Sequence, residues 1–272
     1  MVYENLGGSL LDYAPCRYGK SKLLFRGPRR RLSGDYVAFL GGTETYGKFI
    51  EQPFPVLVEQ MTGTKSINFG CVNAGAEVYC NDQSVLDACA DARATVVQVT
   101  GAQNISNRFY SVHPRRNDRF VRATTVLHTL YPEVDFTEFN FTRHLLTSLH
   151  DLSPERFELV RRELRRVWTK RMEQLLSRVG EPVILLWLAD HRPDEGAAVG
   201  LGHDPLFVDA PMLRRLDSLV AKQIEIVPPP KKKATDGMVF SPMEAPAAAA
   251  SLGVPAHKDA ADALAAELRR LL

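Results

Sequence analysis

The chain has 272 residues, 45% hydrophobic and 24% charged, with a formal charge of only +2. That length supports one large core, and so small a net charge creates no global field for nucleic acid. No apolar run approaches the ~20 residues of a membrane helix, MVYENLGGSLLDYAPCRYGKSK lacks the apolar stretch of a secretory signal, and Cys16, Cys71, Cys80 and Cys89 lack CxxC spacing.

A cytoplasmic bacterial protein with no disulfide framework, metal or cofactor is therefore expected. Residues 1–35 read as a basic extension packed on the core, densest over 17–31 (RYGKSKLLFRGPRRR). A single α/β domain follows over 36–272. Its first strand is 36–40 (YVAFL), broken by Gly41-Gly42-Thr43 and followed by the helical pattern FPVLVEQMTG. A second strand at 66–69 (SINF) precedes the helix SVLDACADAR, and a third lies at 95–99 (TVVQV). Residues 105–152 are too long and too rich in arginine and aromatics for a simple loop, so they read as an insertion after the third strand. The long helix PERFELVRRELRRVWTKRMEQLLSRVG leads to a fourth strand at 183–188 (VILLWL). A helix over 210–223 (APMLRRLDSLVAKQ) precedes a fifth strand at 224–227 (IEIV). The Pro-, Lys- and Ala-biased stretch 228–252 reads as a semi-extended surface connector, and DAADALAAELRRLL closes the chain as a helix.

Apolar strands without alternation, separated by amphipathic helices, imply a mostly parallel five-stranded sheet covered on both faces, a three-layer α/β sandwich. Ligands in such sheets bind beyond the carboxyl ends of the strands, where strand order reverses. After the first strand stands Gly41-Gly42-Thr43-Glu44-Thr45-Tyr46-Gly47. A hydroxyl opening a helix lies near unpaired N–H groups, which suits a nucleophile, an anion contact or a plain N-cap. The Walker A pattern is excluded, because Phe49 stands where its hydroxyl belongs. Asn68 to Ala76 (NFGCVNAGA) follows the second strand and Gly101-Ala102-Gln103-Asn104 the third, where amides could donate to an oxyanion. His257 lies just before the last helix. Cys71, at a strand end, reads as a buried structural thiol in preference to a nucleophile. Asp190-His191, after the fourth strand, is placed to reach the rim of a site or to form a turn.

In order, these motifs resemble the SGNH hydrolase superfamily, whose blocks are Gly-Asp-Ser, a second-block glycine, Gly-x-Asn-Asp and Asp-x-x-His. The chain also resembles an uncharacterised alphaproteobacterial family carrying the same Gly-Gly-Thr-Glu-Thr-Tyr-Gly and Gly-Ala-Gln-Asn segments. The superfamily resemblance implies a flavodoxin-like sheet and a hydrolase or acyltransferase acting on acylated carbohydrates or small metabolites. It implies Thr43 as nucleophile, His257 as base, and Gly75 with Gln103 or Asn104 as oxyanion donors, Gly41 and Gly42 forming the turn around the substrate. The departures are specific. Threonine replaces serine at 43, Gln103 stands at the oxyanion asparagine, and Asn68 to Gly75 is two residues longer than the common spacing. Val254 occupies the position of the aspartate that orients the histidine, leaving Asp190, Asp209 or Asp236 to supply that carboxylate.

Arg108, Arg115, Arg116 and Arg119 leave the sheet at the strand end, so they are expected to bind an anionic substrate, or else to form a solvated face. Two alternatives stand beside the hydrolase: a transferase binding a sulfuryl or phosphoryl donor, and a non-catalytic binding protein with a degenerate site. The expected partner is a small molecule or glycan, with self-association possible and neither nucleic acid nor membrane expected.

Overall fold

The computed structural model describes residues 11–195, 200–229 and 235–272. In chain order, β1 (Tyr36–Leu40) leads through the single turn α1 (Thr43–Tyr46) to α2 (Phe54–Thr62). Then come β2 (Lys65–Asn68), α3 (Ala76–Cys80), α4 (Gln83–Ala90) and β3 (Ala94–Gln98). The inserted segment is the hairpin β4 (Tyr110–His113) and β5 (Arg116–Ala123), followed by α5 (Thr125–Leu130) and α6 (Thr142–Leu152). The long α7 (Pro154–Leu176) returns to β6 (Val183–Leu188), α8 (Ala210–Arg214) and β7 (Lys222–Ile226). The chain then runs through α9 (Ala245–Ala249) to α10 (Val254–Leu271).

The five core strands lie in the order β2-β1-β3-β6-β7, every pair parallel. Strand order reverses between β1 and β3, the switch point of a flavodoxin-like sheet. Alternate side chains of the same strands serve two cores. Val37, Phe39, Val96, Ile184 and Leu186 face α2 and α10, whereas Ala38, Leu40, Val97 and Leu185 face the layer that contains α3, α4 and α7. A strand buried on both faces has no polar side to show, and that is why the core strands read as continuous apolar runs. The expected three-layer α/β sandwich is the observed fold.

Two expectations need correction. The helix predicted over 210–223 stops at Arg214, and residues from Lys222 onward already form β7, Gln223 registering opposite Leu185. The edge strand therefore begins two residues before its apolar part. Residues 230–234 of the predicted connector lie outside the described residues, but its later part is helical. Ser241 and Glu244 form a capping box around Pro242, and the alanine-rich α9 follows directly. A capped run of strong helix formers outweighs the linker-like composition.

The segment before β1 packs on the sheet through Tyr18 and Phe25, both in edge or tilted contact with Phe69 and each other. Its basic character serves the fold. Arg26 is 9% exposed and donates to the carbonyls of Gly47, Ile50 and Glu51 at 2.6–2.8 Å, closing the loop between α1 and α2. Arg30 pairs with Glu59. A buried cation held by carbonyls and the Tyr13 ring loses hydration, and burial lowers the Arg26 pKa accordingly. Arg26→Ala strands those carbonyls without a donor and should lower stability by about 3 kcal/mol, measured by urea unfolding, with Arg26→Lys recovering only part.

Candidate functional site

The Gly-Gly-Thr turn is shaped from the neighbouring strand. Gln98, the last residue of β3, is 7% exposed, and its Oε1 accepts from Gly42 N at 3.1 Å, Thr45 N at 3.1 Å and Thr45 Oγ1 at 2.6 Å. Such close approach requires glycine at 41, since a Cβ there would lie 2.1 Å from Thr45 Oγ1 and 2.6 Å from Gln98 Oε1. The Tyr79 hydroxyl shares its one hydrogen between Gly41 O and Phe69 O and accepts from Gly41 N at 3.3 Å. Thr43, at the first position of α1, is left facing outward. Its Oγ1 accepts from Asn73 N at 3.0 Å and lies 3.2 Å from Asn73 Oδ1, the acceptor for its own hydrogen. Asn73 in turn reaches Asp118 through Nδ2.

The residues expected to stabilise an oxyanion are engaged elsewhere. Gly75 N–H donates to Asn117 Oδ1 at 3.3 Å, and a Cβ at Gly75 would meet Asn104 O at 2.3 Å. Asn104 donates through Nδ2 to Asn73 O and accepts from the Thr142 hydroxyl at 2.6 Å, so both ends of its amide hold the loops together. Gln103 donates to Asp204 Oδ1 at 3.0 Å. The second- and third-strand motifs thus cross-brace the rim with their polar groups.

His257 does not meet Thr43 in a hydrogen bond. It is fully buried, stacked on Phe54 at 5.8 Å, and its Nδ1 accepts from Phe54 N at 3.2 Å. With Nδ1 an acceptor, a neutral ring carries its proton on Nε2, which lies 3.5 Å from Glu44 Oε2, longer than a well-formed hydrogen bond. The histidine therefore docks α10 onto the start of α2. Its neighbouring carboxylate is Glu44. Asp209 caps α8 and pairs with Arg165, while Asp190 meets other histidines.

A groove of about 1700 Å³ opens over the ends of β1, β3 and β6, at the switch point. Gly42, Thr43, Asn73, Gln103 and Asn104 lie on its wall, with the predicted substrate-binding glycine turn at one end. Among the described residues four carboxylates line it, those of Glu44, Asp190, Asp204 and Asp236, against the cations Lys48 and Arg143. Arg143 is itself paired with Asp204 at 2.6 Å. None of the four predicted substrate arginines lines the groove. Arg115 and Arg116 are exposed at the tip of the β4–β5 hairpin, and Arg119 lies 4.3 Å over the Phe141 ring. Arg108 faces Glu163 at 3.8 Å, in a separate notch beside α7. The hairpin reaches the rim through Asn117 and Asp118 instead, uncharged or acidic positions that the arginine count overshadowed.

Sequence reasoning also passed over His203. Asp190 Oδ1 lies 2.9 Å from His191 Nδ1, and its Oδ2 is 3.6 Å from His203 Nδ1. Asp190 and His203 both line the groove and are more than half exposed. The signal available was Asp190-His191 at a strand end with a Gly-His-Asp-Pro turn downstream. Among the described residues, no group of three or more His, Cys, Asp or Glu is placed to hold a metal ion. No described helix is long and apolar enough to cross a membrane.

A family model described as "Domain of unknown function (DUF6473)" matches residues 1–272, and no curated protein matches. Among solved structures, the acetyl xylan esterase Est2A from the rumen bacterium Butyrivibrio proteoclasticus is similar at 11% identity and a TM-score of 0.43, over 91% of this chain and 66% of that one. A gut microbial diltiazem-metabolizing enzyme, BT4096, is similar at 12% identity and a TM-score of 0.38, over 72% of this chain and 38% of its own.

Two outcomes follow from the site geometry. Gln98→Leu leaves three buried donors without an acceptor and should cost about 2–4 kcal/mol in chemical unfolding. Cys71 is 8% exposed, and burial raises its thiol pKa to about 12. The native protein should therefore leave Cys71 unmodified by iodoacetamide at pH 8, read by peptide mass spectrometry, until denaturant is added.

Proposed function

The chain belongs to the DUF6473 family of unknown function, and from its geometry we propose that it is a hydrolase or acyltransferase acting on an acylated carbohydrate or small metabolite in the strand-end groove. The observation that carries this reading is the pairing of His203 with Asp190 on the groove wall. In this reading the carboxylate, 3.6 Å from Nδ1 and so beyond hydrogen-bond length, orients the imidazole by charge, and Nε2 is the atom that takes the proton. In the proposed step, water or an acceptor hydroxyl attacks the acyl carbon while its proton passes to His203 Nε2. The ester C–O bond then breaks as that proton is returned to the departing alkoxide. Thr43, held by Asn73 and not by a base, positions the substrate through its hydroxyl. This replaces the Thr43–His257 pair that the motif order implied.

The charge of the groove bears on the substrate. Among the described lining residues four carboxylates stand against two cations, a balance that suits a neutral or cationic acylated compound better than the anionic ligand expected from the arginines. A sulfuryl or phosphoryl donor gains little from the turn, because the N–H groups of Gly42 and Thr45 already serve Gln98. A second reading, a binding protein that performs no chemistry, is favoured by the separate engagements of Thr43 and His257.

Short-chain p-nitrophenyl esters and acetylated oligosaccharides distinguish the two. The hydrolase reading expects turnover, a fall in kcat of about 10²–10³-fold for His203→Ala with KM little changed, and mainly a KM effect for Thr43→Ala. Binding of these compounds without turnover, or a His203→Ala variant as active as wild type, would overturn it.

A further inference from the structure

A second concentration of positive charge lies away from the groove. Residues 106–108, entering the hairpin, and the middle of α7 enclose a notch of about 240 Å³ that shares no lining residue with the groove. Arg108, Arg166, Lys170 and Arg171 line it, with Glu163 their one acidic neighbour on its wall. The surplus of cations over acids there, four against one, exceeds the formal charge of +2 carried by the whole chain.

Local pairing with Glu163, and with Glu77 just outside the notch, still leaves two of the four cations over. Glu163 is 6% exposed and is taken up by Arg166, whose Nε and Nη2 donate to its two oxygens at 3.0 and 2.9 Å. Arg108 reaches the same carboxylate only at 3.8 Å and lays its guanidinium over the Phe109 ring. Arg171 is 3.7 Å from Glu77, whose other oxygen accepts from Ser106 N. Arg162, Arg166 and Lys170 also follow one another at four-residue spacing along α7, so like charges stack on one helical face. Like charges at this spacing repel, and an anion among them removes that repulsion. Arginines with a partly spent fork retain N–H groups for tetrahedral oxyanions, and lysine adds a point charge.

The geometry points to a binding site for a phosphoryl group in this notch, held by Arg108, Arg166 and Lys170 and separate from the strand-end groove. The phosphoryl group is either free phosphate or the terminal group of a phosphorylated metabolite. This site stands independently of the proposed hydrolase activity, since it uses none of the groove residues.

Thermal unfolding with inorganic phosphate, sulfate, glucose 6-phosphate or chloride, at matched ionic strength, tests it. Phosphate at about tenfold above its dissociation constant should raise the midpoint by about 3–5 °C, saturably. A larger rise with glucose 6-phosphate identifies a phosphorylated metabolite as the source, and an equal one identifies free phosphate. The double variant Arg166→Ala, Lys170→Ala should weaken phosphate binding at least tenfold by calorimetry. Arg115→Ala, Arg116→Ala removes the same charge from the hairpin tip and should leave binding unchanged. A shift no greater than that of chloride, or sulfate alone acting, overturns the proposal. So does an equal loss in the hairpin-tip variant.

Discussion

One carbonyl oxygen organises the functional end of this molecule. Gln98 Oε1 gathers three donors from the turn that follows β1. Buried donors need acceptors, and a turn built on two glycines has few conformational preferences of its own. The amide of β3 therefore dictates where the β1–α1 turn goes. That position brings Thr43 against Asn73, Asn73 against Asp118, and the hairpin into register with the rim. Because β1 and β3 are the strands between which strand order reverses, the constraint lies at the point where the groove opens.

Much of the fold was legible because burial on two sides leaves a plain imprint. The runs YVAFL and VILLWL coincide with β1 and β6, and SINF and TVVQV fall within one residue of β2 and β3. The edge strand β7 was less so: half exposed, it begins on Lys222 and Gln223, which carry no apolar signal. The candidate site was legible only as a location. Thr43, Gln103 and Asn104 do lie on the groove, as strand-end position implies. Their partners could not be read, because which loop amide meets which backbone group depends on loop paths that spacing does not encode. Gln98 had a usable signal, as a buried amide ending a wholly buried strand must be satisfied from somewhere.

His257 illustrates how a motif can keep its place in the chain and change its work. Opening the last helix, it sits where the superfamily resemblance puts a base. With Val254 in the orienting position, the ring turns inward onto Phe54 and binds backbone. The nearby carboxylate that remains, Glu44, is tied at its other oxygen to Leu252 N. A pair able to move protons has become a fastening between helices. The Asp190–His203 pair is at the other side of the switch point, in the connection after β6, where it faces the groove.

The loop from Glu44 to Phe54 is held by residues from far apart in the chain. Arg26 grips its carbonyls from the segment before β1, and His257 grips Phe54 N from the last helix. During synthesis the first of these leaves the ribosome before its partner exists, and the second arrives more than 200 residues after Phe54. The rim of the groove is thus among the last parts of the molecule able to reach its final form. A nascent chain, whatever core it has already condensed, carries an unfinished site until α10 is docked.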